Sequence, residues 1–183
     1  MPEAADTSLI RRKYHDVFEA SVVPAFGNYL SQESQGHTGA ILGYRRAGGD
    51  RLFLEAYLDR PVEDEVARAF GRPFARESIV EIGNFAADNA LAMIELWGAA
   101  ANDLGGSNEV AVATLTAPLR RIFARIGVPI AVLAPASPNR LGEASRAWGK
   151  YYEADPRVCA GIIAEGQEAI AAFLGRRGRR RAA

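Results

Sequence analysis

The sequence contains few of the side chains that build metal centres or covalent cross-links. Among its 183 residues there is one cysteine, Cys159, and there are two histidines, His15 and His37. A single cysteine excludes internal disulfides and cysteine-based zinc sites, and two histidines are too few for a histidine-rich metal centre. We therefore expect no metal site. A cysteine nucleophile is also disfavoured, because no histidine lies near Cys159 in the sequence.

Neither charge nor hydropathy points to a nucleic acid or a membrane. The 22 basic and 22 acidic residues give a formal net charge of zero, whereas general nucleic-acid binding requires a strongly basic face. No apolar run approaches the roughly 18 residues of a membrane span. The amino-terminal stretch Met-Pro-Glu-Ala-Ala-Asp-Thr-Ser is acidic and polar, unlike a signal peptide. We expect a cytoplasmic protein with no nucleic-acid partner and no integral membrane contact.

The composition is that of an ordinary globular domain. Apolar residues make up 49% of the chain and charged residues 24%, both usual values for a soluble fold. We predict one domain over residues 1–175. Residues 176–183 form a basic tail, which we predict to be disordered. The alternative is that this tail docks an acidic carrier protein or anionic lipid.

The most informative stretch is residues 78–86, Ser-Ile-Val-Glu-Ile-Gly-Asn-Phe-Ala. Its apolar and β-branched residues predict a buried strand, yet the run contains one carboxylate, Glu81, which is costly to bury unpaired. Gly83 and Asn84 follow, and a glycine inside a strand often marks a bulge or a close backbone approach. The pattern predicts a strand that separates from its neighbour around a ligand, with an acid or base beside it.

The remaining sequence predicts a mixed α/β (α+β) fold. The central unit is strand 78–86, helix 89–104 and strand 109–115, which is long enough for a crossover between parallel strands. Asp88 is placed to cap its helix. The other predicted elements are helix 8–18, a short irregular strand near residues 20–29, strands 38–46 and 51–58 joined by a hairpin turn at 47–50, a helix from Pro61 to Gly71, helix 116–127, strand 129–133, helix 139–148, strand 158–164 and a helix ending near Leu174.

Several segments together resemble the thermostable hemolysin family, a bacterial group related to the GNAT acyltransferases and to acyl-homoserine-lactone synthases. The segments that carry the resemblance are residues 43–47, 52–59, 79–86, 119–127 and 148–152 with Pro156. The resemblance implies a GNAT-like fold with a mixed central sheet flanked by helices. The family name implies haemolysis, whereas the fold implies acyl transfer.

The strand around Glu81 is similar to a Glu-x-Ser-Arg-Phe pattern in the lactone synthases, whose glutamate is proposed to help deprotonate the attacking amine. Glu81 and Phe85 match that pattern, while Gly83 stands in place of serine and Asn84 in place of arginine. The missing arginine argues against the lactone-synthase substrate S-adenosylmethionine. The resemblance therefore implies that Glu81 is a general base, as a carboxylate with apolar neighbours can be. The alternative is a glutamate that is exposed or paired with an arginine.

The acyl donor is expected to lie beside this strand. Ordinary GNAT enzymes hold the pyrophosphate of coenzyme A on a glycine-rich loop and a helix N-terminus. Residues 86–90, Ala-Ala-Asp-Asn-Ala, lack such glycines and carry a carboxylate there. We expect no permanent cofactor and a donor held by its pantetheine arm, namely acyl carrier protein or acyl-CoA, or else an acyl adenylate. Gly83, Asn84, Phe85 and Thr114 are the predicted donor-binding residues, although Gly83 and Asn84 can equally be a plain strand irregularity.

The amine acceptor and the leaving group have their own candidates. By resemblance to the lactone synthases, Glu55 and Asp59 at the end of the second hairpin strand help hold the amine. Arg76 is expected to pair with a carboxylate, including that of Glu55 or one of the substrate. By resemblance to many GNAT enzymes, a tyrosine of the pair Tyr151 and Tyr152 protonates the departing thiolate, and Tyr152 is the predicted acid. The alternatives are a solvated strand end for Glu55 and Asp59, a surface charge for Arg76 and core packing for Tyr152.

These observations predict an amide-forming N-acyltransferase that moves an acyl group from a phosphopantetheine thioester or acyl adenylate to a small amine. Two alternatives remain open at the level of the sequence. One is a membrane-active, hemolysin-like protein, and the other is an acyl-binding module without catalysis.

Overall fold

The computed structural model describes residues 6–182 and forms a mixed sheet with helices on both faces. The six strands of this described part lie in the order β1-β2-β3-β4-β6-β5. The strands are β1 (Asn28–Ser34), β2 (His37–Arg46), β3 (Ile79–Ala87), β4 (Val110–Leu115), β5 (Ala131–Pro135) and β6 (Arg157–Ile162). The helices are α1 (Ser8–Phe18), α2 (Val62–Phe70), α3 (Ala90–Leu104), α4 (Ala117–Ile126) and α5 (Ile163–Ala182).

Local signals explain where most helices begin and end. Helix α2 follows Pro61 and carries Glu63, Asp64 and Glu65 in its first turn, where the positive end of the helix dipole favours carboxylates. Gly71 ends it with a φ of 70°. Helix α3 begins as predicted, but the capping residue is Asn89, whose side chain accepts a hydrogen bond from the Ala92 N–H at 2.9 Å. The cap predicted at Asp88 is wrong.

The predicted hairpin lies in a different place. Strand β2 confirms the prediction for residues 38–46, but its hairpin partner is β1, and the turn between them is at Gln35 and Gly36, which have φ values of 51° and 80°. Residues 51–58 are not a strand. They contain the 3₁₀ helix Phe53–Tyr57, because the Glu55 carboxylate accepts hydrogen bonds from the Leu52 and Val62 N–H groups and curls the segment around itself.

The final helix also differs from its prediction. Helix α5 continues to Ala182 instead of ending near Leu174, so residues 176–182 are helical where the sequence predicted a disordered tail. Its last turn is rich in arginine, which the negative end of the helix dipole favours. Residues 139–148 form 3₁₀ turns, chiefly Gly142–Trp148, rather than the predicted helix.

The two faces of the sheet bury different helices. On the front face lie α1, α2 and the 3₁₀ helix Phe53–Tyr57, and on the back face lie α3, α4 and α5. Side chains of a strand alternate between faces, so Val112 of β4 packs in the front core while Ala113 and Leu115 pack in the back core.

The sheet opens at its centre. Strands β3 and β4 are parallel, and their pairing consists of Ile79 with Val110, Val80 with Ala111 and Glu81 with Val112. Beyond Glu81 the two strands have no further pairs, although β3 continues to Ala87 and β4 to Leu115. The predicted separation of strands beside Glu81 is present, and it creates room for a ligand in the middle of the sheet.

Candidate active site

A cavity of about 370 Å³ lies on the front face where β3 and β4 separate. Its volume falls within the range of small-molecule sites. Four of the predicted site residues line it, and these are Glu81, Gly83, Asn84 and Thr114. The remaining lining residues are Tyr14, Val23, Ala25, Phe26, Phe53, Leu54, Ala56, Tyr57, Ile82, Leu141, Trp148 and Tyr151.

Glu81 is buried at the floor of this cavity, with 3% of its surface exposed. One carboxylate oxygen accepts the Phe53 N–H at 2.8 Å and the other accepts the Leu54 N–H at 2.9 Å. Burial raises the pKa of Glu81 to about 7, against the opposing effect of these two hydrogen bonds and of the Arg45 charge. The side chain therefore exchanges a proton near neutral pH, as a general base requires.

Gly83 and Asn84 form the predicted irregularity in β3. The register with β2 shifts between Ile41 and Gly43, and Asn84 adopts the left-handed region with a φ of 51°. Two glycines, Gly43 and Gly83, face each other in this register. The Phe26 ring lies against both, because a Cβ atom on either glycine would come within 2.7 Å of it. The bulge thus presents backbone to the cavity under an aromatic side chain.

Phe85 points away from the Glu81 cavity. It packs edge-on against Trp97 with ring centroids 6.0 Å apart, and it lines a second cavity of about 100 Å³ on the back face. That second cavity has apolar walls from β4, β6, α3 and α5, and it shares the lining residue Ile82 with the cavity at Glu81. Ile82 therefore lies between the front and back cavities, one residue beyond the last β3–β4 pair at Glu81.

The predicted acid Tyr152 does not line the front cavity. Its hydroxyl forms a 2.8 Å hydrogen bond with the hydroxyl of Tyr57, and Tyr57 is the residue that lines the cavity. Burial raises the pKa of Tyr57 above its ordinary value, with the Tyr152 hydrogen bond as the next cause. Tyr57 is not among the candidates predicted from the sequence. It reaches the cavity from the 3₁₀ helix Phe53–Tyr57, which replaces the predicted strand over residues 51–58.

Glu55 and Arg76 are bound to each other and do not line the cavity at Glu81. Two guanidinium nitrogens of Arg76 each donate to a Glu55 oxygen at 2.8 Å, and the same guanidinium reaches Glu63 at 2.7 Å and the carbonyl oxygen of Ala47 at 2.8 Å. The Arg76 hydrogen bonds lower the pKa of Glu55 to about 2. The pairing of Arg76 with Glu55, one of the alternatives predicted from the sequence, is therefore present, and it engages the groups that were expected to hold the amine.

Asp59 is also remote from the cavity. Its side chain is exposed and pairs with Arg140. Glu55, Asp59 and Arg76 instead line an open groove outside the 3₁₀ helix Phe53–Tyr57. The resemblance to the lactone synthases implied that Glu55 and Asp59 lie beside the amine, at the end of a strand over residues 51–58, whereas this segment contains a 3₁₀ helix.

The family and the fold can now be assigned. The sequence profile of the thermostable hemolysin family matches residues 3–167 of this chain. The chain belongs to the thermostable hemolysin family. No curated protein sequence matches it. Within residues 6–182, every helix is too short or too polar to cross a membrane.

Several solved structures share the fold of this chain at low sequence identity. The AHL synthase LasI is 14% identical with a TM-score of 0.59, covering 88% of this chain and 83% of its own. The CoA-dependent acyl-homoserine lactone synthase BjaI is 15% identical with a TM-score of 0.58, covering 93% and 82%. FeeM, an N-acyl amino acid synthase from uncultured soil microbes, is 13% identical with a TM-score of 0.56, covering 88% and 90%. These likenesses confirm the GNAT-like fold.

We predict that Arg76→Met lowers the free energy of unfolding by about 3 kcal/mol, because it leaves the buried Glu55 carboxylate without its counter-ion. Chemical denaturation measures the change. The matched control is Arg146→Met, since Arg146 reaches Glu143 at 3.8 Å with both side chains more than 80% exposed; this loss should stay below about 1 kcal/mol. Equal losses for the two variants would contradict the structural role of the Glu55–Arg76 pair.

We predict that Glu81 makes the protein less stable as the pH rises. Its pKa is about 7 in the folded state and 4.5 when unperturbed, so between these pH values the folded chain holds the proton that the unfolded chain has lost. From pH 5 to pH 8 the stability of the wild type should fall by about 2 to 3 kcal/mol relative to Glu81→Gln. Denaturation of both proteins at the two pH values measures this difference, and a constant difference would refute the raised pKa.

Proposed function

We propose that this protein is an N-acyltransferase that joins the acyl group of a phosphopantetheine thioester to a primary amine. The observation that carries the proposal is the buried Glu81 carboxylate, with a pKa of about 7, at the point where β3 and β4 separate. A base of this strength can take a proton from an amine near neutral pH. The same fold in LasI, BjaI and FeeM, whose names describe acyl-transferring synthases, supports the proposal.

In the proposed reaction the amine nitrogen attacks the thioester carbonyl, a C–N bond forms, and the C–S bond breaks. Glu81 accepts the proton that the nitrogen loses. The Tyr57 hydroxyl, whose raised pKa keeps it protonated, donates a hydrogen bond to the departing sulfur. The proton on Glu81 then neutralises the thiolate and restores the carboxylate. Tyr152 acts through Tyr57 by holding its hydroxyl at 2.8 Å, which makes it a positioning residue.

The acyl chain is proposed to occupy the back cavity. Its walls are almost entirely apolar, and small side chains from β4 and β6 leave its space open, namely Ala111, Ala113, Ala160 and Gly161. Because Ile82 lies between this cavity and the front cavity, a thioester placed between the strands would direct its chain backward and its carbonyl toward Glu81. Phe85 lines the back cavity, so its proposed part in donor binding is contact with the acyl chain.

The donor is proposed to be held by its pantetheine arm rather than by its phosphates. The exposed Asp88 carboxylate lies just before α3 and bonds His37 Nε2 at 2.7 Å, and the Asn89 side chain already occupies the Ala92 N–H. A pyrophosphate at the start of α3 would lie near the Asp88 carboxylate and would not find the Ala92 N–H free, so this helix start does not favour its binding. Acyl carrier protein and acyl-CoA both carry the pantetheine arm.

The direct test supplies purified protein with acyl carrier thioester or acyl-CoA and a pool of amines, and it measures free thiol together with amide by mass spectrometry. We expect amide formation whose rate rises with pH and is half-maximal near pH 7, the pKa of Glu81. Glu81→Gln should lower the rate at least about 100-fold. The control Glu95→Gln removes an exposed carboxylate on α3 and should keep full activity.

Two outcomes would refute the acyltransferase. One is release of free thiol without any amide, and the other is lysis of liposomes by the protein with no small-molecule product.

We predict that Ala113→Phe shortens the preferred acyl chain. The new ring would occupy the back cavity that Ala113 lines, so long-chain donors should lose activity while acetyl and butyryl donors keep it. Competition between donors of different length, read by mass spectrometry of the amides, measures the preference. Ala172→Phe places the same ring on the exposed side of α5 and should leave the preference unchanged. An equal loss for all chain lengths would contradict this use of the cavity.

A further inference from the structure

In the described part of the chain, the walls of the front cavity carry one acidic side chain and no basic one. Of its sixteen lining residues, Glu81 alone is ionisable at physiological pH, and no lysine, arginine or histidine of the described chain is among them. The other polar side chains are neutral, namely Asn84, Thr114 and the three tyrosines. A ligand that binds here therefore meets one carboxylate and no cation.

Three arginines of the neighbouring elements are bound by other groups of the protein. The Arg45 guanidinium lies over the outer side of the Phe53 ring, 4.1 Å from its centroid, and donates to the carbonyl oxygen of Arg51 at 3.0 Å. Arg76 is held by Glu55 and Glu63. Arg120, whose guanidinium donates to Leu115 and Asp155, is likewise bound by the protein. No rearrangement of a single side chain brings one of these cations into the cavity without breaking such contacts.

Aromatic rings form much of the remaining wall. Six of the sixteen lining residues are aromatic. Phe26 and Phe53 meet edge-to-face with centroids 5.0 Å apart, close to Glu81 because the Phe53 N–H donates to that carboxylate. On the opposite wall Trp148 lies 5.1 Å from Tyr151 and 6.1 Å from Tyr14, measured between ring centroids. Aromatic faces attract ammonium groups and apolar bodies alike.

The mouth of the cavity is also apolar. Val23 is 78% exposed and Phe53 is 41% exposed, and both line the cavity. Apolar side chains that remain exposed around a concave site are typical of a surface that an apolar ligand covers.

We propose that the acceptor is a primary amine with an aromatic or bulky apolar body and with no carboxylate or phosphate group, the class to which arylalkylamines belong. This inference rests on the proposed function. The ammonium group binds Glu81 and the apolar body lies between the two aromatic walls. An amino acid acceptor would bring a second carboxylate beside Glu81 into a site with no cation, and burying an unpaired charge is costly.

The test measures binding in the absence of any acyl donor, by calorimetry at pH 8, where Glu81 is ionised. The probes are phenethylamine, phenylalaninol, phenylalanine and 3-phenylpropionate. We expect phenethylamine and phenylalaninol to bind at least about 10-fold more tightly than phenylalanine, and 3-phenylpropionate to bind most weakly. Phenylalaninol keeps its ammonium group at pH 8 and is close in size to phenylalanine, so it separates the effect of the carboxylate charge from that of size. Glu81→Gln should weaken phenethylamine binding while leaving the protein folded, as checked by circular dichroism.

A gain-of-function variant strengthens the test. Leu141→Lys places a cation in the wall at a partly exposed position, and it should reverse the preference between phenylalanine and phenethylamine. The control Val17→Lys adds the same charge on the exposed side of α1 and should leave the preference as in the wild type.

The outcomes separate this inference from the proposed function. Tight binding of phenethylamine with no transfer from any donor would retain the acceptor class and refute the acyltransferase. Transfer to amino acids but not to arylalkylamines would retain the acyltransferase and overturn the acceptor class. Phenylalanine binding as tightly as phenethylamine, or no binding of either amine at millimolar concentration, would also overturn the acceptor class.

Discussion

The structure depends on the contact between the Glu81 carboxylate and the backbone N–H groups of Phe53 and Leu54. A carboxylate inside a sheet is unfavourable unless hydrogen bonds replace its hydration, and these two bonds tie the centre of β3 to the 3₁₀ helix Phe53–Tyr57. That helix is in turn shaped by Glu55, whose carboxylate is held by Arg76. The Glu55–Arg76 ion pair does not line the cavity, yet it sets the position of the Phe53 and Leu54 N–H groups that bind Glu81.

The same contact fixes where the sheet opens. Pairing between β3 and β4 ends at Glu81 and Val112, so the buried carboxylate occupies the last closed position and the bulge at Gly83 and Asn84 follows at once. Side-chain alternation then separates two environments, with Thr114 facing the front cavity that holds the Glu81 carboxylate and Ala113 facing the back cavity, whose described lining residues include no charged side chain. A substrate with an apolar chain and a polar reacting end matches this division.

The elements that depend on short-range sequence signals were predictable from the sequence. The strand with Glu81 and the boundaries of α2 and α3 follow from apolar spacing, helix-starting residues and glycine stops. The strand predicted for residues 51–58 is wrong. Their apolar pattern suits a strand, but the Glu55 carboxylate, which Arg76 holds, accepts backbone N–H groups on both sides of it and shapes a 3₁₀ helix. The helix cap was placed one residue early, at Asp88 instead of Asn89. The aromatic walls were not predictable, because Tyr14, Phe26 and Trp148 are far apart in the sequence and surround one cavity only in the folded chain.

Two buried glutamates show how environment assigns their roles. Glu55 and Glu81 are both nearly inaccessible and both accept two backbone N–H groups. Glu55 also has a bidentate arginine, and its pKa falls to about 2; Glu81 lacks one, and burial raises its pKa to about 7. An arginine beside Glu81 would stabilise the fold but would remove its basicity, since a carboxylate with a pKa near 2 is a poor proton acceptor. A site without a cation therefore serves the proposed base, and it also determines which acceptors can bind there.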